Sequence, residues 1–261
     1  MNHFDGPEIL PDVTVDSFGS FLDTIAQRNR GVCLFRGHRD ETWPLEPNIF
    51  RYMYRKKHIA NGLPLMLLDS FKKSAVRLVQ PPPSNDWEWL AVAQHHGLIT
   101  PLLDWTTNPL AAAFFAVEDP LRESECAGQA QTRAISAVWC YWPRQDHLGW
   151  LSDYYDPETS PFEAEKVLMF EPSHFSSRIP AQGAVFTVHP FAKGGLAKPK
   201  WNGSALKIKI PAGVRVDIRR SLMQFGIHHA SLFPDVDGLA KYINARFKVA
   251  DDEELRRKRA I

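Results

Sequence analysis

Long apolar runs are missing from this 261-residue chain, and so is any excess of charge of one sign. No apolar stretch reaches the roughly 18–20 residues that a membrane-crossing helix needs. The 31 basic and 30 acidic residues leave a net charge of +1, so no global field draws the chain to nucleic acid or to a membrane surface. Cysteine is scarce. Cys33, Cys126 and Cys140 lie far apart with no C-x-x-C pair, which argues against a disulfide framework and against a structural zinc site. The first ten residues are acidic and contain proline, without the basic-then-apolar order of a secretory leader. The expectation is a soluble protein of the cytoplasm.

The motifs of several large enzyme classes are also missing. No G-x-x-x-x-G-K-[ST], G-x-G-x-x-G, G-x-S-x-G or H-E-x-x-H occurs, which removes the main support for P-loop, Rossmann, hydrolase-elbow and zincin readings. His95 and His96 have no third ligand at metal-like spacing, so no metal is expected. A nuclease built on His95 and Asp104 would lack both a metal cluster and a basic stripe.

What is present is an ordinary globular composition, 44% hydrophobic and 23% charged, enough for a sizeable core. The 20 prolines and 15 glycines predict many loops. Apolar residues at Val15, Phe18, Phe21, Leu22 and Ile25 predict a helix over 15–27, capped by Asp12 or Thr14. Residues 32–35 predict a buried strand that delivers Arg36 at its C-terminal end, and 43–47 an irregular loop. A helix over 63–79 is stopped by Pro81-Pro82-Pro83. A second, over 86–96, is capped by Asn85 and ended by Gly97. A strand over 100–105 leads to a helix opened by Asn108-Pro109. Strands follow over 134–142, 184–189 and 205–210, a helix or mixed segment over 214–225, a short strand over 231–233 and an amphipathic helix over 237–247. The tail, 251–259, puts acids before bases and reads as a solvated helix end. The class expected is α+β: a single mixed or antiparallel sheet core with flanking helices. It divides into an N-terminal helical segment (1–29), one domain (30–247) and a charged tail (248–261).

The densest chemistry lies between Gln94 and Ala116, where His95, His96, Asp104, Thr106, Thr107 and Asn108 are threaded among apolar residues. Polar groups at the rim of a core must be hydrogen-bonded or liganded. Arg36 suits a phosphate, pyrophosphate or carboxylate bidentately, and Gly37 beside it permits close backbone approach by a ligand; an ion pair of Arg36 with Asp40 or Asp104 is the plainer alternative. His95 and His96 sit at a helix C-terminus, which favours their charged form. Thr106, Thr107 and Asn108 precede a helix N-terminus and either bind an anion there or cap it. Gln182 beside Gly183 either meets a ligand or satisfies a tight turn. Asp235 or Asp237 is an N-cap or the acidic group of a site.

Together these motifs resemble the FRG domain family. The likeness rests on Phe35-Arg36-Gly37 followed by Trp43, Leu45 and Pro47; on Gln94-His95, Gly97, Thr100, Leu102-Leu103-Asp104-Trp105-Thr106, Asn108-Pro109 and Phe115-Ala116; on Arg178-Ile179, Ala181-Gln182-Gly183 and Phe186; and on Gly226-Ile227, Leu232-Phe233-Pro234-Asp235 and Asp237-Gly238-Leu239. It runs from about residue 30 to about 245. Pro101 departs from the arginine the family often carries there, and His96 replaces the usual aromatic. A second, narrower likeness is to ADP-ribosyltransferases, in the order of Arg36, then Thr106/Thr107 with the Ala112–Ala116 helix, then Gln182 or Asp235.

The second resemblance implies an ADP-ribosyltransferase-like fold and cleavage of NAD, with ADP-ribose passing to water or to a macromolecular acceptor. Arg36 would pair with the pyrophosphate, Thr106 or Thr107 would orient a ribose hydroxyl, and Trp105 or Phe115 would flank the nicotinamide. Asp235, Asp237 or Gln182 would hold the ribose as it becomes an oxocarbenium ion, His95 would orient a neighbour or move a proton, and Asp104 would be a further catalytic group. The alternative is a nucleotide-ligand sensor without turnover, in phage defence or toxin regulation. Either way the partner is a small-molecule nucleotide, not a membrane, and nucleic acid is disfavoured by the charge balance.

Overall fold

The computed structural model describes residues 8–28, 31–55, 62–118, 135–144, 154–190 and 201–259. Cys126, residues 1–7 of the N-terminal segment and the last two residues of the tail lie outside them. Two short strands come first, β1 (Glu8–Ile9) and β2 (Val13–Thr14), followed by helix α1 (Phe18–Ala26). The expected helix thus begins later: Val13 and Thr14 pair with Ile208 and Lys209 in the sheet, and Ser17 caps α1 in a capping box with Ser20.

Strand β3 (Leu34–His38) extends past the apolar run and carries Arg36 mid-strand, not at its end. Backbone pairing does not stop where side chains turn polar, and the ladder continues through Arg36–Trp139, Gly37–Val138 and His38–Ala137. Helix α2 (Asn48–Arg55) was not foreseen; α3 (Leu63–Ala75) ends earlier than expected, its chain continuing in turns. Helix α4 (Asp86–His95) begins at Asn85, whose side chain accepts from the Glu88 N–H, and ends before Gly97 at φ +86°. Strand β4 (Leu102–Thr106) leads into α5 (Pro109–Val117), where the Asn108 side chain caps the N–H groups of Leu110 and Ala111.

After β5 (Ser136–Pro143) come the short strand β6 (Leu168–Phe170) and helix α6 (Arg178–Gln182), which the sequence reading does not include. Gly183 closes α6 in the left-handed conformation (φ +55°), the usual device for ending a helix. Strands β7 (Ala184–Val188) and β8 (Gly203–Ile210) complete the sheet. Helix α7 (Ala212–Gln224) is continuous. Residues 231–233, expected as a strand, belong instead to helix α8 (His229–Leu232) and its cap, because His228 and Ser231 form a reciprocal cap that three apolar residues could not reveal. Helix α9 (Val236–Arg259) takes in most of the charged tail.

The strands form one mixed sheet in the order β1-β8-β5-β3-β4-β7-β6, with β2 also on β8. All neighbours are antiparallel except β1 and β2, which run parallel to β8. The class is α+β, as the sequence predicts. Alternation along the strands sends Phe35, Val138, Cys140 and Ile208 to one face under α5, α1 and α7, and Leu102, Phe186 and Val188 to the same face under α4. Leu103, Trp105, Trp139 and Val185 form a separate cluster on the opposite face. Among the described residues no helix is long and apolar enough to cross a membrane.

Candidate functional site

The sheet is pinched at its centre. Strands β5 and β8 share eight rungs and β4 and β7 five, but β3 and β4 share only Phe35–Thr106. Beyond that rung Arg36 takes over the bonding, its Nη1 donating to the Asp104 carbonyl oxygen at 2.5 Å and approaching Oδ2 at 3.4 Å. Its Nε donates to His38 Nε2 at 3.0 Å. The alternative pairing of Arg36 with a carboxylate is thus the one observed, with Asp104 as the partner.

A cleft of about 400 Å³ opens above this seam, between the C-terminal ends of α4 and α5. Its floor is Phe35, Asp104, Thr106, Ala184 and Phe186; Gln94 and His95 border it from α4, Phe115 and Glu118 from α5, and Arg178 and Gln182 from α6, with Phe233 after α8. Its size lies within the roughly 300–1,000 Å³ usual for small-molecule sites.

Asp104 is the exposed member of its strand, its side chain 54% accessible. Gln94 Nε2 donates to Asp104 Oδ1 at 3.0 Å, and Gln94 Oε1 in turn accepts from the Thr100 hydroxyl. With Arg36 on its other oxygen, the carboxylate is oriented from two sides. Arg178 is fixed by Asp235, which takes both its Nε and Nη2 protons on Oδ2, and its guanidinium stacks over Phe233 at 5.3 Å. The Gly238 N–H and then Arg178 hold the Asp235 carboxyl below the usual carboxylate range. His95 is pushed below its ordinary value, first by burial, then by the neighbouring His96 and Arg178. The charging expected at the end of α4 is therefore outweighed at His95 by desolvation.

Arg36, Gly37, His95, Asp104, Trp105, Thr106, Phe115 and Gln182 all border the cleft. Several play parts other than those expected. The approach Gly37 permits is that of α5: a Cβ there would sit 2.6 Å from the Ala116 nitrogen and closer still to the Ala112 carbonyl oxygen. The Trp105 indole belongs to the opposite face, where its N–H donates to Thr187 Oγ1 at 2.9 Å and its ring packs on Tyr141 and Trp201. The Thr106 hydroxyl donates to the Gln182 carbonyl and accepts from the Asn108 N–H at 2.9 Å, joining β4, α5 and α6. The Gln182 side chain donates to the Leu232 carbonyl at 2.9 Å.

Thr107, Asn108, Asp235 and Asp237 do not line the cleft. Thr107 lies against Gly183, and Asn108 is spent on the α5 cap. Asp235 binds Arg178 and the Gly238 N–H, and Asp237 is exposed in the first turn of α9. Gln94, Arg178, Glu118 and Phe233 were not singled out as site residues. A signal existed for Arg178: it stands four residues before Gln182 and therefore on the same helical face. Beneath the seam, fully buried His189 bonds through Nε2 to Thr187 Oγ1 at 3.2 Å and is held down to about 3 by burial and then by Arg36. Among the described residues no group of three or more His, Cys, Asp or Glu side chains is arranged to hold a metal.

Neither a curated protein nor a solved structure matches the chain. Residues 32–125 match the family model of the FRG domain, a span that begins just before β3 and includes Arg36, Gln94, His95, Asp104, Phe115 and Glu118. Arg178, Gln182 and Phe233, which close the cleft, come from beyond the matched span. With Phe35-Arg36-Gly37 at the seam of its sheet, the chain carries an FRG domain match over residues 32–125.

Proposed function

We propose that the cleft binds a nucleotide and that its reaction is cleavage of NAD at the nicotinamide–ribose bond, with ADP-ribose passing to water or to a macromolecular acceptor. The observation that carries this reading is Asp104: an exposed carboxylate, oriented by Arg36 and Gln94, in a cleft that also offers a stacked guanidinium and four phenylalanine rings. A fixed anion stabilises a ribosyl carbon as it becomes an oxocarbenium ion.

Arg178 is the anchor for a phosphate. Two of its nitrogens are held by Asp235, which fixes the plane of the fork while the group borders the cleft. Arg36, expected to grip the pyrophosphate, has Nε and Nη1 engaged inside the protein and serves to position Asp104. Phe115 and Phe233, with ring centroids 6.1 Å apart, offer faces to a planar base. As the C1′–N bond breaks, its electron pair leaves with nicotinamide. The acceptor oxygen adds to C1′ and passes its proton to His95, which its lowered value keeps neutral and basic near pH 7.

The test is a thermal-shift titration of wild type and Arg178→Gln with NAD, ADP-ribose, AMP and ATP. NAD and ADP-ribose should stabilise wild type, by about 2.7 kcal/mol at a hundred times the dissociation constant, and Arg178→Gln should bind at least about tenfold more weakly, the 1–3 kcal/mol of a lost charged hydrogen bond. Binding without nicotinamide release would make the protein a ligand sensor; no shift with any of the four would overturn the reading.

A further inference from the structure

Across Phe35 from the cleft, two of the three cysteines line one small cavity. Cys140 is paired directly with Phe35 in the β3–β5 ladder, and Cys33 lies two residues before Phe35, so both thiols stand on the same face. Both residues line that cavity, where the Cys33 S–H turns to the Leu34 carbonyl oxygen at 3.8 Å. Cys140 is buried and Cys33 is half-buried. The hydrogen bond to Cys33, and then burial, push the Cys140 thiol well up.

A cavity of about 20 Å³ opens on the pair, lined by Cys33, Cys140, Phe35, Trp142 and Arg28. A space of that size holds about one water-sized molecule, so a small oxidant enters and a glutathione does not. Cys33 immediately precedes β3 and forms no rung of the ladder, so its backbone is the freer of the two to move.

We propose that Cys33 and Cys140 are an oxidant-sensitive thiol pair, with Cys33 the site of attack by hydrogen peroxide and Cys140 the thiol that resolves it into a disulfide. Cys33, as thiolate, attacks one peroxide oxygen; the O–O bond breaks, giving Cys33 sulfenic acid and a hydroxide that is protonated to water. The Cys140 sulfur then attacks Cys33 Sγ, the S–O bond breaks, and the Cys140 proton leaves with the departing hydroxide as a second water. Two thiols and one peroxide thus give one disulfide and two waters. Phe35 lines both this cavity and the cleft, so the cross-link would form against a wall the two share. The inference is independent of what the cleft binds.

The experiment treats the folded protein with equimolar hydrogen peroxide and maps it by non-reducing peptide mass spectrometry. A Cys33–Cys140 cross-linked peptide pair, 2 Da lighter than the two thiol peptides together, is expected. In Cys140→Ser, Cys33 should instead be trapped as sulfenic acid by a 1,3-dione. The proposal is overturned if wild-type Cys33 advances to sulfinic acid with Cys140 still reduced, or if the disulfide formed joins Cys126. The wild-type map decides the matter even if a variant does not fold.

Discussion

Arg36 donates a guanidinium N–H to the main-chain oxygen of Asp104, across the seam where β3 and β4 share a single rung. The contact stitches a seam and orients a carboxylate at once, since the same nitrogen reaches Asp104 Oδ2. The two roles separate by mutation. Asp104→Asn leaves the main-chain oxygen in place and should cost less than about 1 kcal/mol in chemical denaturation, whereas Arg36→Ala should cost about 1–3 kcal/mol. Equal losses would mean that the side-chain ion pair, and not the main-chain bond, holds the seam.

Gly37 is where α5 rests on β3. Because the clashing atoms are backbone, relief requires moving the helix, and Gly37→Ala should destabilise by about 3 kcal/mol or more. A midpoint within experimental error of wild type would show that α5 sits farther from the strand.

Thr106 joins three elements through one hydroxyl. Thr106→Ser keeps that oxygen and should stay within about 1 kcal/mol of wild type. Thr106→Val strands the half-buried Asn108 N–H and Gln182 carbonyl and should cost about 1 kcal/mol or more without any ligand present. Loss of nucleotide affinity in Thr106→Val at unchanged stability would instead assign the hydroxyl to the ligand.

His189 gives the fold a pH dependence. Its value lies at about 3 in the folded protein against an ordinary 6.5, so between these limits the unfolded chain binds a proton the folded one does not. The stability this residue contributes is present in full above pH 6.5 and is lost progressively as pH falls from there toward about 3. From pH 7 to pH 5 the loss should be roughly 2 kcal/mol, at about 1.4 kcal/mol per pH unit. His95 and His228, both lowered mainly by burial, add in the same direction. Denaturation of His189→Gln at the two pH values should show a smaller loss than wild type; an identical loss would place the proton elsewhere.

The features legible in the sequence are those decided by one or two residues. Asn85 and Asn108 mark helix starts because a short polar side chain accepts from the N–H groups of the first turn that follows, and Gly97 marks an end because it tolerates positive φ. The extent of β3 was not legible, since its rungs depend on where β5 runs. Nor was the division of labour in the site. Arg36 and Asp104 are 68 residues apart, and Arg178 and Asp235 57 apart, so which guanidinium is spent internally and which borders the cleft depends on the assembled sheet. Trp105 and Thr106 both border the cleft, but strand alternation turns the indole to the far face.

The most direct test of the central claim is nicotinamide release from NAD, followed by mass spectrometry for wild type and Asp104→Asn at matched folded concentration. The account predicts release by wild type and a loss of at least about a hundredfold in Asp104→Asn, the range seen when one electrostatic stabiliser of a transition state is removed. Release at equal rates by both proteins would contradict it.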